Sequence, residues 1–60
     1  MSTELMRTDN FSLTRYYGGE EKGVCYQLTS NALASGYIQL TETEMLQLLS
    51  IANKEIPYAG

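Results

Sequence analysis

The sequence predicts an α+β fold, in which a small antiparallel sheet of three to four strands is followed by one C-terminal amphipathic helix (ββββα), assembled as a homodimer. Three observations predict it: alternating apolar and polar residues in the first half of the chain, a glycine-rich turn between two such runs, and a helix-capping motif ahead of apolar residues at helical spacing. With 60 residues, the chain is expected to form one domain, 1–60, because a chain of this length is too short for two hydrophobic cores.

Two central strands are predicted over residues 9–17 and 23–30. In each run, apolar residues such as Phe11 and Leu28 alternate with more polar residues. This alternation is typical of a strand with one buried face. Between the runs, residues 18–23 contain three glycines, which allow the positive φ angles of a hairpin connection. The two runs are therefore expected to form an antiparallel pair.

A further short strand is predicted over residues 36–40, with Ile38 and Leu40 facing the interior. The N-terminal segment, about residues 2–7, leaves two alternatives open. It either forms an edge strand that includes Leu5 and Met6, or it becomes ordered only against a partner.

One helix is predicted over residues 42–55. Thr41 and Glu44 have the spacing of a capping box, in which each side chain accepts a hydrogen bond from the backbone amide of the other, and Pro57 is expected to stop the helix. The apolar arc spans roughly 220° at about 100° per residue, whereas a surface helix needs only about 100°. A second copy of the helix is the simplest cover, and the predicted dimer interface is Met45, Leu46, Leu48, Leu49, Ile51, Ala52 and Ile56.

The composition excludes several classes of function. Because histidine is absent and Cys25 is the only cysteine, the chain can form no internal disulfide, no tetrahedral zinc site and no Ser-His or Cys-His catalytic pair. No cofactor or metal is expected, and oligomerisation is the remaining source of added stability. No apolar run approaches a membrane span and no signal-peptide apolar region is present, so a cytoplasmic protein without a membrane partner is expected.

Basic and aromatic residues near the predicted hairpin are candidates for nucleic-acid binding. Tyrosines can stack on unpaired bases while cations contact phosphates, and the candidate set is Arg7, Arg15, Tyr16, Tyr17, Lys22 and Tyr37. The alternative is that the aromatic side chains pack across strands. Strand parity also predicts a neutral, hydroxyl-rich face opposite the helix, which suits a protein partner. With four basic residues and a net charge of −3, the chain offers a phosphate backbone little electrostatic attraction.

Two further residues each have a chemical and a structural interpretation. Asp9, the only aspartate, is the one candidate catalytic residue, as a Mg²⁺ ligand in a DNA-nicking site. The alternative is that Asp9 and Asn10 form a turn leading into the strand. Cys25 is interpreted as a small unreactive strand residue, because no cation adjoins it in the sequence to activate the thiol.

The segment 36–49, Gly-Tyr-Ile-Gln-Leu-Thr-Glu-Thr-Glu-Met-Leu-Gln-Leu-Leu, resembles the end of the positive-cofactor-four family of single-stranded-DNA-binding transcriptional coactivators. In that family a strand leads directly into one C-terminal amphipathic helix, and residues 11–28 are similar to the family's central hairpin. The resemblance implies a curved four-stranded sheet, pairing of two protomers through their helices, and a groove for single-stranded DNA on the outer sheet surfaces. This chain departs from the family in being acidic.

The resemblance extends to small phage-encoded proteins that counter host defence, including an anti-CRISPR type. It implies a small homodimeric, DNA-binding viral or mobile-element accessory factor, which holds single-stranded or distorted DNA on its sheet in the host cytoplasm. The alternative is a non-enzymatic phage inhibitor that binds a host protein, such as a CRISPR nuclease, without contacting DNA. A metal-dependent DNA nickase is the third hypothesis and the only enzymatic one.

Overall fold

Residues 1–56 are described in the computed structural model, and they form four strands and one helix. The strands are β1 (Ser2–Arg7), β2 (Phe11–Tyr17), β3 (Val24–Ser30) and β4 (Tyr37–Thr41), and the helix is α1 (Glu42–Glu55). The predicted ββββα order is confirmed, and the N-terminal segment takes the edge-strand alternative. The predicted helix stop at Pro57 lies outside the described residues.

The four strands form one antiparallel sheet in sequence order, β1-β2-β3-β4. Leu28 lies opposite Leu13 of β2 and opposite Ile38 of β4, so the register places a row of aliphatic side chains on one face. This face, called the helix side below, carries α1. The Tyr26 hydroxyl donates to the Glu42 carboxylate at 3.2 Å, which ties the first turn of α1 to the middle of the sheet.

Strand β1 contains a β-bulge, where the register shifts between Glu4 and Met6. Glu4 lies opposite Thr14 and Met6 lies opposite Leu13, so Leu5 is the additional residue. A bulge places two residues of one strand against one residue of its partner, and Leu5 lines a groove on the helix side together with Leu13. The bulge explains why β1 shows no clean alternation in the sequence.

The turns use residue types that suit their backbone conformations. In the β2–β3 hairpin, Gly19 and Gly23 have φ angles of 102° and 65°, which residues with a Cβ adopt at a cost. The β1–β2 turn is closed by Thr8, whose hydroxyl accepts from the Phe11 amide at 3.1 Å. The strand predicted over 9–17 therefore begins at Phe11, because the two residues before it belong to the turn.

The predicted capping box at the start of α1 is confirmed. The Glu44 amide donates to the Thr41 hydroxyl at 3.3 Å, and the Thr41 amide donates to the Glu44 carboxylate at 2.9 Å. At the other end, the Ile56 amide donates to the Ala52 carbonyl at 2.8 Å. The 14 residues of α1 are too few and too polar for a membrane span, and no other helix occurs within residues 1–56.

The core of the described chain is thin. Helix α1 packs against β3 and β4, and no element formed by residues 1–56 lies over the β1–β2 half of the helix side. Cys25 is the only buried residue among residues 1–56. Leu46 and Ile51, on opposite flanks of α1, are 61% and 57% exposed, so the wide apolar arc of the helix is only partly covered within one copy of the chain.

Candidate binding face

The face of the sheet opposite α1, called the outer face below, carries mostly uncharged polar side chains. The register aligns them in three rows: Thr14, Gln27 and Gln39 in the centre, Ser12, Thr29 and Tyr37 on one side, and Tyr16, Cys25 and Thr41 on the other. Hydroxyl and amide groups dominate these rows, as strand parity predicted. The outer face therefore offers many hydrogen-bonding groups and little formal charge.

A chain of side-chain hydrogen bonds runs through the centre of the outer face. Gln39 Nε2 donates to Gln27 Oε1 at 3.1 Å, and Gln27 Nε2 donates to Thr29 Oγ1 at 3.4 Å. These bonds orient both amides and use only part of their capacity, because each amide has two N–H donors and one acceptor oxygen. A shallow depression of about 190 Å³ beside the two amides is lined by Ser2, Thr14, Tyr16, Gln27 and Gln39.

One end of the outer face is closed by the β2–β3 hairpin turn. Cys25 is only 2% exposed, and the turn approaches it so closely that a Cβ on Gly18 would lie 2.7 Å from Cys25 Sγ. Burial raises the pKa of the Tyr16 hydroxyl above its ordinary value of 10.0, and the adjacent Cys25 thiol adds to the effect. Tyr16 is therefore neutral at physiological pH, and this end of the outer face presents a neutral phenol.

The structure does not bring the six predicted nucleic-acid-binding residues together. Three of them lie on the outer face: Arg7, Tyr16 and Tyr37. The other three lie elsewhere: Arg15 and Tyr17 on the helix side, and Lys22 in the hairpin turn. Successive residues of a strand point to opposite faces, but Arg15, Tyr16 and Tyr17 still line one shallow depression of about 160 Å³ beside Met1, Thr3 and Val24.

The cations nearest the outer face have acidic neighbours. Arg7 forms an ion pair with Glu4, although residues three apart in a regular strand point to opposite faces. The bulge at Leu5 shifts the register between Glu4 and Arg7, so both side chains lie on the outer face. The charge of Lys22 lies close enough to Glu44 to influence that carboxylate. Arg7, held in its ion pair, is therefore not a free phosphate-binding group.

Asp9 lies in the exposed β1–β2 turn, away from the outer face. The Asn10 amide beside it donates to the Thr8 hydroxyl at 3.1 Å, as expected of the turn interpretation. In the described part of the chain, no three His, Cys, Asp or Glu residues come together in a way that could hold a metal ion. The nickase hypothesis thus finds no ligand set among these residues.

Comparisons with protein-family models, with curated proteins and with solved structures find no match to this chain. The likeness of residues 36–49 to the positive-cofactor-four family therefore stays a prediction made from the sequence.

The capping box predicts a specific dependence of stability on pH. Hydrogen bonds from the Thr41 amide and then the Thr41 hydroxyl hold the pKa of Glu44 below its ordinary value of 4.5, and the charge of Lys22 acts in the same direction. Because the pKa is lower in the folded state, Glu44 stabilises the fold above the unfolded value, and this contribution is lost as the pH falls through the folded value.

Urea denaturation between neutral and acid pH should therefore show a smaller loss of unfolding free energy for Glu44→Gln than for the wild type. Glu21→Gln, in the exposed hairpin turn, removes the same charge away from the helix and should keep the wild-type profile. A Glu44→Gln profile as steep as that of the wild type would show that the capping carboxylate does not contribute.

Proposed function

We propose that this chain is a non-enzymatic binding protein, a homodimer that docks a protein partner through its outer face. The observation that best supports this is the neutral outer face, where Gln27 and Gln39 hold each other in place by hydrogen bonding. Protein interfaces are depleted in charged residues at their centre and gain specificity from hydrogen bonds. Pre-oriented amides lose less side-chain freedom when a partner binds.

The placement of charge favours a protein over DNA as the partner. Nucleic-acid binding gains most of its affinity from cations that neutralise phosphates. Here Arg7 is paired with Glu4, and Arg15 lies on the helix side, opposite Tyr26. Inhibition of a host-defence protein by a phage-encoded chain, which the family resemblance implies, would be one form of this docking function and stays a prediction.

The docking function is tested with a photo-activatable cross-linking residue placed at Tyr37, an exposed position of the outer face outside the amide pair. The control position is Lys54, which is exposed on the last turn of α1. In cell extract, position 37 should give one discrete protein adduct, and Gln27→Arg in the same chain should abolish it by placing a charge at the centre of the face. Adducts of equal yield from both positions, or no adduct from position 37, would contradict docking through the outer face.

Single-stranded DNA is the second candidate partner, because two tyrosines share the outer face. Tyr37 is 48% exposed, and stacking of a base on an aromatic side chain contributes about 1–3 kcal/mol. Fluorescence anisotropy with labelled oligo-dT and duplex DNA should show no saturable binding at physiological salt if the partner is a protein. DNA would be the partner if oligo-dT bound with micromolar, salt-sensitive affinity. In that case Tyr37→Ala should weaken the binding, and the helix-side control Tyr17→Ala should not.

A further inference from the structure

The helix side of the sheet contains an apolar groove between α1 and strand β1. The groove has a volume of about 350 Å³, and its walls include Leu5 and Leu13 from the sheet and Leu46 and Leu49 from the helix. It adjoins an almost wholly apolar cavity of about 260 Å³ beneath the helix, with which it shares Leu13 and Leu49. Within one copy of the chain, nothing among residues 1–56 fills either space.

The groove exists because one helix is too narrow for this sheet. Neighbouring strands lie about 4.8 Å apart, so four strands span roughly 19 Å, whereas a helix with its side chains is about 10 Å wide. Helix α1 lies over β3 and β4 and therefore leaves the β1–β2 half open. Leu5 and Met6 in that half are 43% and 46% exposed.

The apolar side chains on both walls of the groove reach solvent. Besides Leu5 and Met6 on the strand side, Leu46 and Leu49 on the helix side are 61% and 49% exposed. A contiguous exposed apolar patch of this kind is typical of a protein–protein interface, and a second copy brings apolar surface to both walls at once.

We propose that the groove is covered by the same surface of a second copy of this chain. The β1–β2 halves of two helix sides pack face to face across a two-fold axis, so that the Leu5–Met6 segment of each copy lies against the Leu46 flank of the other. A two-fold interface uses one patch twice and must be self-complementary. This surface meets that condition because it contains both the helix wall of the groove, at Leu46, and the apolar strand β1, at Leu5. Strand β1 of one copy can therefore cover the helix wall of the other.

This inference rests on the homodimer of the proposed function and narrows its interface. At about 100° per residue, Ile51 lies on the flank of α1 away from the groove, and it lines neither the groove nor the cavity beneath the helix. Leu46 lies on the other flank and lines the same groove as Leu5. The interface therefore includes β1 and the Leu46 flank, and it leaves Ile51 outside.

The test combines charge substitutions with sedimentation analysis. The wild type should be a dimer, and Leu5→Lys and Leu46→Lys should each weaken dimerisation by roughly 100-fold or more, because an unpaired charge would be buried. Ile51→Lys is the matched control on the opposite flank and should leave the dimer intact. Far-ultraviolet circular dichroism checks folding and is recorded well below Tm, because a variant that dissociates also loses the stability that the interface supplies. The two test positions are exposed within one copy, so their substitution by itself should not disrupt the secondary structure.

A disulfide experiment makes the result independent of those variants. Copies carrying Leu5→Cys are mixed with copies carrying Leu46→Cys, and mild oxidation should give the mixed 5–46 disulfide in excess over either symmetric product. Any of three results would overturn the inference: a monomeric wild type, dissociation by Ile51→Lys but not by Leu5→Lys, or absence of the mixed disulfide. A chain that fails in this way and still cross-links a partner through position 37 would retain the docking function.

Discussion

Replacing Gly18 by alanine should destabilise the fold by about 1–3 kcal/mol, the usual cost of overpacking a tight contact. A Cβ at this position would lie 2.7 Å from Cys25 Sγ and 3.2 Å from Lys22 Cβ. The φ angle of Gly18 is not positive, unlike those of Gly19 and Gly23. The cost at Gly18 is therefore a steric clash with the buried Cys25 side chain rather than backbone strain, and urea denaturation measures it directly.

A double-mutant cycle identifies the cause of the Gly18 effect. Cys25→Ala removes the sulfur atom that the new methyl group would meet, so adding it to Gly18→Ala should recover part of the lost stability. The coupling between neighbouring sites in such cycles is typically about 0.5–3 kcal/mol. Purely additive effects, or an alanine at Gly18 that leaves stability unchanged, would show that the hairpin turn does not pack on Cys25 as described.

The elements with direct local causes were predictable from the sequence. Apolar and polar residues alternate over 11–17 and 24–30, which indicates strands with one buried face. The spacing of Thr41 and Glu44 allows two reciprocal hydrogen bonds at the start of a helix. Both signals depend only on neighbours along the chain. The strand pairing of β2 with β3 and the capping box followed from them, and the structure has both.

The features that escaped prediction depend on contacts between segments. The bulge at Leu5 shifts the register of β1 against β2, which no periodicity within β1 records, and the Glu4–Arg7 ion pair follows from it. Burial of Cys25 arises because the hairpin turn packs against the outer face. One signal for this was present in the sequence, since Gly18 adds a third glycine to a turn in which only two need positive φ.

The stability of this protein should fall markedly on dilution. Because Cys25 is the only buried residue among residues 1–56, the hydrophobic contribution to folding within one copy is small, and we expect the proposed dimer interface to supply much of the remainder. For coupled folding and dimerisation, each tenfold dilution lowers the free energy of unfolding by about 1.4 kcal/mol per dimer. With an unfolding entropy of about 2.1 cal/mol/K per residue, this corresponds to a fall in Tm of roughly 5 °C.

Differential scanning fluorimetry and circular dichroism across a wide range of protein concentrations measure this dependence. Ile51→Lys should keep the wild-type slope of Tm against the logarithm of concentration, because its flank of α1 lies outside the interface. Leu46→Lys should lower Tm and flatten the slope, since its folding no longer gains from association. A wild-type Tm that is independent of concentration would mean that one copy is stable alone, and that the groove beside α1 contributes nothing to folding through a second copy.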